Sequence, residues 1–137
     1  MRVYINLAMN HSWMKKKHAV SVIAHRGYNS LFPENTLLSF EKAIEVGADY
    51  IELDVNFSAD KEIIVIHDKS TGRISNSSLN ITQTPYAELK QLKLEENQYI
   101  PTLKEVFDLC KNKININIEI KGYNMAKALN QLISELQ

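Results

Sequence analysis

The segment HRGYNSLFPENTLLSFEKAIEVGADYIELDVNFSADKEIIVIHD, residues 25–68, contains the order of elements that decides the fold. The short apolar run at residues 20–24, just before it, predicts a buried strand that ends in a polar loop. Within the segment, the motif Pro-Glu-Asn-Thr at residues 33–36 opens a helix, and Gly47 ends it. A strand followed by a helix is the first unit of an α/β fold with a largely parallel sheet.

Two more strands are predicted at residues 50–57 and 63–67, with only a handful of residues between them. A parallel crossover needs a dozen or more residues, so these two strands are expected to form an antiparallel hairpin. If the turn is centred just after Asp60, Asp54 lies directly across from His67. Side chains that face each other in such a pair are about 5 Å apart at Cβ.

The rest of the chain continues the alternation of elements. Residues 68–83 are rich in Ser, Asn and Thr and predict a loop, whereas residues 84–92 begin with a threonine and a proline and predict a short helix. A capping box at residues 102–105 opens the next helix. Residues 114–121 alternate between apolar and polar and predict a strand, and residues 124–136 place their apolar side chains on one helical face.

Composition excludes several classes of function. The 137 residues suffice for one domain, and 16 basic residues balance 16 acidic ones, so no charge field attracts nucleic acid. The single cysteine, Cys110, excludes an internal disulfide and a cysteine-based zinc site. Because Cys110 falls on the apolar stripe of a predicted helix, we expect a buried, inert thiol.

Residues 1–18 have the pattern of a leader. A short apolar run at residues 3–9 precedes three lysines at residues 15–17, which is the reverse of the order in a secretory signal. No run approaches the roughly 20 apolar residues that span a bilayer. We therefore expect a poorly ordered leader, with a juxtamembrane stub as the alternative, a domain at residues 19–137 and a cytoplasmic location. His11 and His18 are interpreted as solvated residues of this leader.

Seven residues able to carry chemistry recur near the carboxyl ends of the predicted strands. Taken alone, each polar strand face would be interpreted as solvent-exposed. The combination favours a site, because that edge of a parallel α/β sheet is where ligands bind. The candidates are His25, Arg26, Glu52, Asp54, His67, Glu119 and Lys121.

These residue types suit the cleavage of a phosphodiester. Glu52, Asp54 and Glu119 would repel one another unless a cation neutralised them, and an all-oxygen cluster favours Mg²⁺ or Ca²⁺ over zinc. Such an ion polarises a phosphoryl oxygen. Arg26 offers a planar fork of donors to phosphate and Lys121 offers a point charge. Two histidines that titrate near neutral pH can act as an acid–base pair.

The quoted segment, followed by IPTLKEV at residues 100–106 and NIEIK at residues 117–121, resembles the glycerophosphodiester phosphodiesterase family. The resemblance covers roughly residues 20–122, and several separate blocks match in order. It implies a (β/α)₈ TIM-type barrel related to the phosphatidylinositol-type phospholipases C, of which this chain would form a part. The hairpin predicted above would lie between the second and third strands.

The resemblance also implies roles for the candidate residues. His25 and His67 would be the catalytic acid and base, Glu52, Asp54 and Glu119 would bind one Ca²⁺ or Mg²⁺ ion, and Arg26 and Lys121 would contact phosphate. The glycerol hydroxyl of the substrate would attack phosphorus, and water would then open a cyclic phosphate to give sn-glycerol 3-phosphate and an alcohol such as choline or ethanolamine.

The remaining polar residues of the matched blocks are interpreted as supporting ones. Glu34 and Asn35 are expected to organise the loop, with Asn35 capping the helix. Asp68 is expected to hold its own loop or to orient the imidazole of His67. Asp49 and Asp60 are interpreted as turn residues.

A complete barrel of this type needs roughly 250 residues, so residues 19–137 are expected to be the N-terminal half of the domain. Three explanations stand: a fragment of a longer chain, a truncated gene product, or a half-barrel that pairs with another chain or forms a homo-oligomer. The alternatives in function are a lysophospholipase D, a phosphatidylinositol-type phospholipase C, or a catalytically silent half-barrel for binding or assembly. The expected partner is a small glycerophosphodiester, and nothing in the sequence supports membrane contact.

Overall fold

A computed structural model of the chain describes residues 3–7 and 20–136. The described residues form strands, α-helices and two 3₁₀ turns, in the order β1 (Val3–Leu7), β2 (Ile23–His25), α1 (Leu37–Glu45), β3 (Tyr50–Phe57), β4 (Ile63–Val65), a 3₁₀ turn (Ile81–Gln83), α2 (Tyr86–Leu89), a 3₁₀ turn (Glu95–Asn97), α3 (Leu103–Cys110), β5 (Asn115–Ile120) and α4 (Ala126–Leu136). None of these helices is long and apolar enough to cross a bilayer.

The strands form one sheet in the order β1-β5-β3-β2, and β4 pairs with β3. β3 runs parallel to both β2 and β5, and helices connect the three strands, as the alternation in the sequence predicts. β4 runs antiparallel to β3, which confirms the expected hairpin. Because β3 has strands on both sides, it carries its site residues in the middle of the sheet.

The apolar face of the sheet forms the main core. Ile51, Leu53 and Ile116 are completely buried there against helices α1 and α3. Cys110 belongs to the same core, and burial raises the pKa of its thiol to about 12, as an inert thiol requires. A second apolar cluster fastens the chain after β4 to the other face of that strand and comprises Ile64, Ile66, Ile81, Leu89, Leu94 and Ile100.

Side-chain caps begin the two helices that cover the core. At α3 the expected capping box is present: the amide of Thr102 donates to Glu105, and the amide of Glu105 donates to the Thr102 hydroxyl. At α1 the expectation that Asn35 caps the helix is wrong, because Thr36 is the cap and accepts a hydrogen bond from the Ser39 amide. Asn35 adopts a positive φ of 55° and points elsewhere.

Three other expectations need correction. The strand expected to be buried, β2, is an exposed edge strand, because it has a neighbour on one side only: Ile23 is 52% exposed, and Val22, just before the strand, is 59% exposed. Helix α2 ends at Leu89 instead of near residue 92. The leader is structured at residues 3–7, where β1 pairs antiparallel with β5; residues 8–18, with both leader histidines, lie outside the described part of the chain.

The register of the hairpin differs by one residue from the expected register. Phe57 pairs with Ile63, which leaves a loop of five residues, and the amide of Ile66 donates to the carbonyl of Asp54 at 2.9 Å. Asp54 is therefore across from Ile66 and not from His67. A turn centred just after Asp60 contains an even number of residues. In the structure the Ser58 amide donates to the Glu62 carbonyl, so the turn contains an odd number of residues and the pairing moves by one.

Candidate active site

Two rows of polar side chains cross the sheet on the face opposite the main core. In the first row, Glu52 pairs with His25 on one side and with Asn117 on the other. In the second row, Asp54 pairs with Glu119. Partners in parallel strands point to the same face, and strands lie about 4.8 Å apart, so the register alone brings these side chains together.

The three carboxylates converge as expected. Glu52, Asp54 and Glu119 are each at most 5% exposed, and each offers an oxygen within 4.8 Å of the oxygens offered by the other two. Burial, together with the nearby charges of Asp54 and Glu119, raises the pKa of Glu52 to about 7. Bringing three carboxyl groups this close without water is unfavourable unless positive charge compensates them.

The cluster fits a hard divalent cation. Among the described residues, Glu52 Oε1 is a buried oxygen without a hydrogen-bond partner, although Glu52 Oε2 accepts a hydrogen bond from the amide of Arg26 at 3.1 Å. A buried oxygen without a donor has its lone pairs available to a cation, and a bound ion is one explanation of such an oxygen. Three carboxylate oxygens so close together match the oxygen shell of Ca²⁺ or Mg²⁺.

Asp54 is the centre of the charge network. Arg26 Nε lies 3.3 Å from Asp54 Oδ2, and Lys121 Nζ lies 3.3 Å from Asp54 Oδ1 and 2.8 Å from Glu119 Oε1. Asn35 Nδ2 donates to Asp54 Oδ2 at 3.0 Å, which explains its displacement from the helix cap. Desolvation lowers the pKa of Lys121, but the contacts with Glu119 and Asp54 outweigh it and raise the pKa.

The turn after β2 places Arg26 by means of an unusual backbone. Arg26 has a φ of 54° and Gly27 a φ of 80°, and the carbonyl of Arg26 accepts a hydrogen bond from the amide of Asn35. A Cβ atom at Gly27 would lie 2.8 Å from the carbonyl carbon of Ser39, so only glycine fits there. Positive φ at an arginine is strained, and such strain is typical of functional sites.

The two histidines reach the same cavity, His25 from the end of β2 and His67 from the segment just after β4. His25 Nε2 lies 3.9 Å from Glu52 Oε2, and His67 reaches the cavity despite the altered register because β4 ends at Val65. The cavity has a volume of about 340 Å³, and its lining comprises His25, Arg26, Glu52, His67, Asn117, Glu119 and Lys121. All candidate residues from the sequence except the fully buried Asp54 therefore line it, and Asp54 contacts Arg26 and Lys121 of this lining.

Three residues of this region were missed from the sequence as parts of the site. Asn117 lines the cavity, and its position two residues before Glu119 on the same strand face could have indicated it. Asn35 contacts Asp54, whereas its position in the sequence predicts a helix cap. Arg73 donates from Nη2 to Glu34 Oε1 at 2.7 Å and from Nε to Asp68 Oδ2 at 2.6 Å, from a loop without any periodic signal.

A sequence model of the glycerophosphoryl diester phosphodiesterase family matches residues 25–136, which include every candidate residue. The chain belongs to this family. A relative within it, a glycerophosphodiester phosphodiesterase of Caldanaerobacter subterraneus subsp. tengcongensis, is 44% identical over 109 residues, which are 74% of this chain and 45% of the relative.

Solved structures of the family agree with the fold. The crystal structure of a glycerophosphodiester phosphodiesterase from Thermotoga maritima matches with a TM-score of 0.76 at 40% identity, over 86% of this chain and 51% of that one. A phosphodiesterase of Oleispira antarctica, in complex with the product sn-glycerol-3-phosphate, matches with a TM-score of 0.77 at 32% identity, over 85% and 51%. The partial TIM-type barrel is thereby confirmed, and the chain spans about half the length of these relatives.

Proposed function

We propose that this chain carries the metal- and phosphate-binding half of a glycerophosphodiester phosphodiesterase, which hydrolyses its substrates to sn-glycerol 3-phosphate and an alcohol. The observation that carries the proposal is the convergence of three buried carboxylates with Arg26 and Lys121 at one cavity. The family relative that was crystallised with sn-glycerol-3-phosphate supports the choice of product.

Glu52, Asp54 and Glu119 are proposed to hold one Ca²⁺ or Mg²⁺ ion. The unpartnered Glu52 oxygen and the short distances between the carboxylates support this assignment. When bound, the ion supplies Lewis-acid polarisation of a phosphoryl oxygen and stabilises the negative charge that develops there. Both ions prefer oxygen ligands, so the three carboxylates suit either of them.

Arg26 and Lys121 are proposed to bind the phosphate group. Both basic side chains now compensate the charge of Asp54, and both also line the cavity. Positive charge added at the carboxylates would make Arg26 and Lys121 available to phosphate oxygens. Arg26 can donate through its planar fork, while Lys121 acts as a point charge.

His25 and His67 are proposed to exchange protons with the substrate. One imidazole removes the proton of the attacking hydroxyl, and the other donates a proton to the leaving alkoxide oxygen, as acid–base pairs do. Their positions support the assignment, because they approach the cavity from β2 and from the end of β4, on either side of the carboxylates.

Residues 19–137 are proposed to form the N-terminal half of the catalytic domain. The family relatives are about twice as long as the matched region, so we infer that the remaining barrel strands and the binding wall for the alcohol come from polypeptide outside these 137 residues. Assembly as a homo-oligomer and a cytoplasmic location remain predictions from the sequence.

The proposal is tested by the release of glycerol 3-phosphate from glycerophosphocholine, with and without a chelator. The chain and a longer protein that contains it are measured side by side. We expect hydrolysis that stops with the chelator and returns with Mg²⁺ or Ca²⁺. Binding of the cation and of sn-glycerol 3-phosphate with no turnover in either protein would instead support a silent binding module.

A further inference from the structure

A continuous chain of ionic hydrogen bonds links one candidate catalytic histidine to the candidate phosphate-binding arginine. It begins at His67 and ends at Arg26, and its middle member, Arg73, belongs to the loop after β4. In order, the chain comprises His67, Asp68, Arg73, Glu34 and Arg26. Its ends line the cavity of the carboxylates, whereas Glu34 and Arg73 line a second cavity.

The first half of this chain sets the orientation of the imidazole. His67 Nδ1 lies 2.6 Å from Asp68 Oδ1, so the neutral ring carries its proton on Nδ1 and keeps Nε2 for the substrate. The other oxygen of Asp68 accepts from Arg73 Nε at 2.6 Å. An oriented carboxylate behind a histidine is the usual means of selecting its tautomer.

The second half sets the position of the guanidinium group of Arg26. Arg73 donates to both oxygens of Glu34, at 3.0 and 2.7 Å, and Glu34 Oε1 accepts from Arg26 Nη1 at 3.2 Å. The two arginines together lower the pKa of Glu34, although desolvation opposes them, so Glu34 stays ionised. Within this series of five hydrogen-bonded residues, Arg73 is thus the member that contacts both carboxylates, Asp68 on the side of His67 and Glu34 on the side of Arg26.

Holding the loop in place does not require Arg73. The loop is closed by hydrogen bonds around Thr71, which is completely buried, and it is anchored by buried Ile81. The side chain of Arg73 is 49% exposed, and exposed ion pairs contribute little to stability. Its two-sided contact therefore points to a role in the geometry of the site.

We propose that Arg73 is a positioning residue, which fixes His67 through Asp68 and Arg26 through Glu34 in a single geometry. The consequence for catalysis rests on the proposed function; the consequence for the imidazole does not. A lysine at this position would keep the charge but offer one nitrogen instead of three, so it would lack the fixed fork that holds both carboxylates in one geometry.

The test compares Arg73→Gln with Lys69→Gln, which removes the same charge from an exposed residue of the same loop. Two-bond ¹H–¹⁵N NMR spectra of the histidine rings, recorded where imidazole is neutral, report the tautomer of each ring. We expect His67 to change from the Nδ1–H form to a mixture of tautomers in Arg73→Gln, and to remain unchanged in Lys69→Gln. Arg73→Lys should restore the Nδ1–H form in part.

In the active protein we expect Arg73→Gln to lower kcat about 10- to 100-fold, the usual effect of losing such a support, with cation affinity unchanged. An unchanged His67 tautomer in a folded Arg73→Gln protein would overturn the proposal. Should Arg73→Gln fail to fold, Arg73→Lys, which keeps the charge but not the fork, decides instead: it must still give some mixture of tautomers at His67, and a pure Nδ1–H form would overturn the proposal. Absence of hydrolysis by the wild-type protein would refute the proposed function alone, since the NMR result decides the positioning.

Discussion

Asp54 and Glu119 are direct partners across the parallel strands β3 and β5, and one ammonium group, that of Lys121, contacts both carboxylates at 3.3 and 2.8 Å. Two buried acids are thus held side by side by the register of the sheet itself. The single charge of Lys121, with that of Arg26, leaves the three carboxylates of the cluster incompletely neutralised.

Replacing one acid should therefore weaken cation binding selectively. We expect Glu119→Gln to raise the Mg²⁺ or Ca²⁺ concentration needed for half-maximal binding by at least tenfold, since it removes one of three charged ligands. Isothermal titration calorimetry measures this constant directly. Glu41→Gln, an exposed acid on α1, serves as the control and should bind the cation as the unmodified chain does. Equal constants for both variants would refute the metal site.

The raised pKa of Glu52 predicts how the cation responds to pH. With a pKa of about 7 in the folded chain, above the ordinary value of 4.5, Glu52 is largely protonated at pH 6 and must release that proton when it binds a cation. Cation affinity should therefore increase from pH 6 to pH 8. In Glu52→Gln the increase should be much smaller.

The same pKa predicts how the stability of the metal-free chain depends on pH. Because the folded pKa lies above the unfolded one, the protonated form of Glu52 contributes stability that is complete below pH 4.5 and is lost as the pH rises through 7. Thermal unfolding at pH 6 and pH 8 should show a larger gain in Tm from added Mg²⁺ at the higher pH. An identical gain at both values would contradict the assignment of Glu52.

His67→Ala should separate proton transfer from cation binding. We expect turnover to decrease by about 10²- to 10⁴-fold, the usual effect of losing a general acid or base, at an unchanged cation requirement. An acid–base pair gives a bell-shaped dependence of rate on pH, and one limb of this profile should disappear in His67→Ala. Rescue of His67→Ala by excess metal would make His67 a ligand, and the acid–base assignment would have to be abandoned.

Alanine substitutions at two glycines, Gly27 and Gly47, test how tightly the turn at Arg26 is packed. Gly27 and Gly47 have nearly equal φ values of 80° and 78°, but a Cβ atom at Gly27 would collide with Ser39, whereas nothing lies within 4 Å of one at Gly47. We expect Gly47→Ala to cost about 1 kcal/mol of unfolding free energy and Gly27→Ala about 2–4 kcal/mol. Urea denaturation measures both, and equal costs would show that the contact with Ser39 relaxes freely.

Most of the candidate site could be predicted because strand geometry is periodic. Alternation places Glu52 and Asp54 on one face of β3 and Asn117 and Glu119 on one face of β5, whatever the surrounding fold. The parallel arrangement then aligns the two rows. Only the assumption that the strands are neighbours was needed, and the order of helices and strands supplied it.

The features that could not be predicted depend on loop lengths and long-range contacts, which no periodic pattern in the sequence indicates. The observed hairpin register differs from the expected one because the loop after Phe57 differs by one residue from the expected turn. A shift of one residue moves every later side chain of the strand to the opposite face. Arg73 and Glu34 are separated by 39 positions and meet through two loops. Similarly, the exposure of β2 follows from its place at the edge, which depends on the neighbours available and not on its own apolar sequence.

The antiparallel pairing of β1 with β5 has a consequence for assembly. The strands that helices connect, β2, β3 and β5, run parallel to one another, whereas β1 runs antiparallel to β5 and lies outside the region that matches the family, so β1 is not one of the helix-connected barrel strands. Yet it uses the backbone groups of β5 that a parallel neighbour would need. Residues 3–7 are thus an internal competitor for that edge: a strand that extends the barrel there must displace them, and its binding is an exchange of one partner for another.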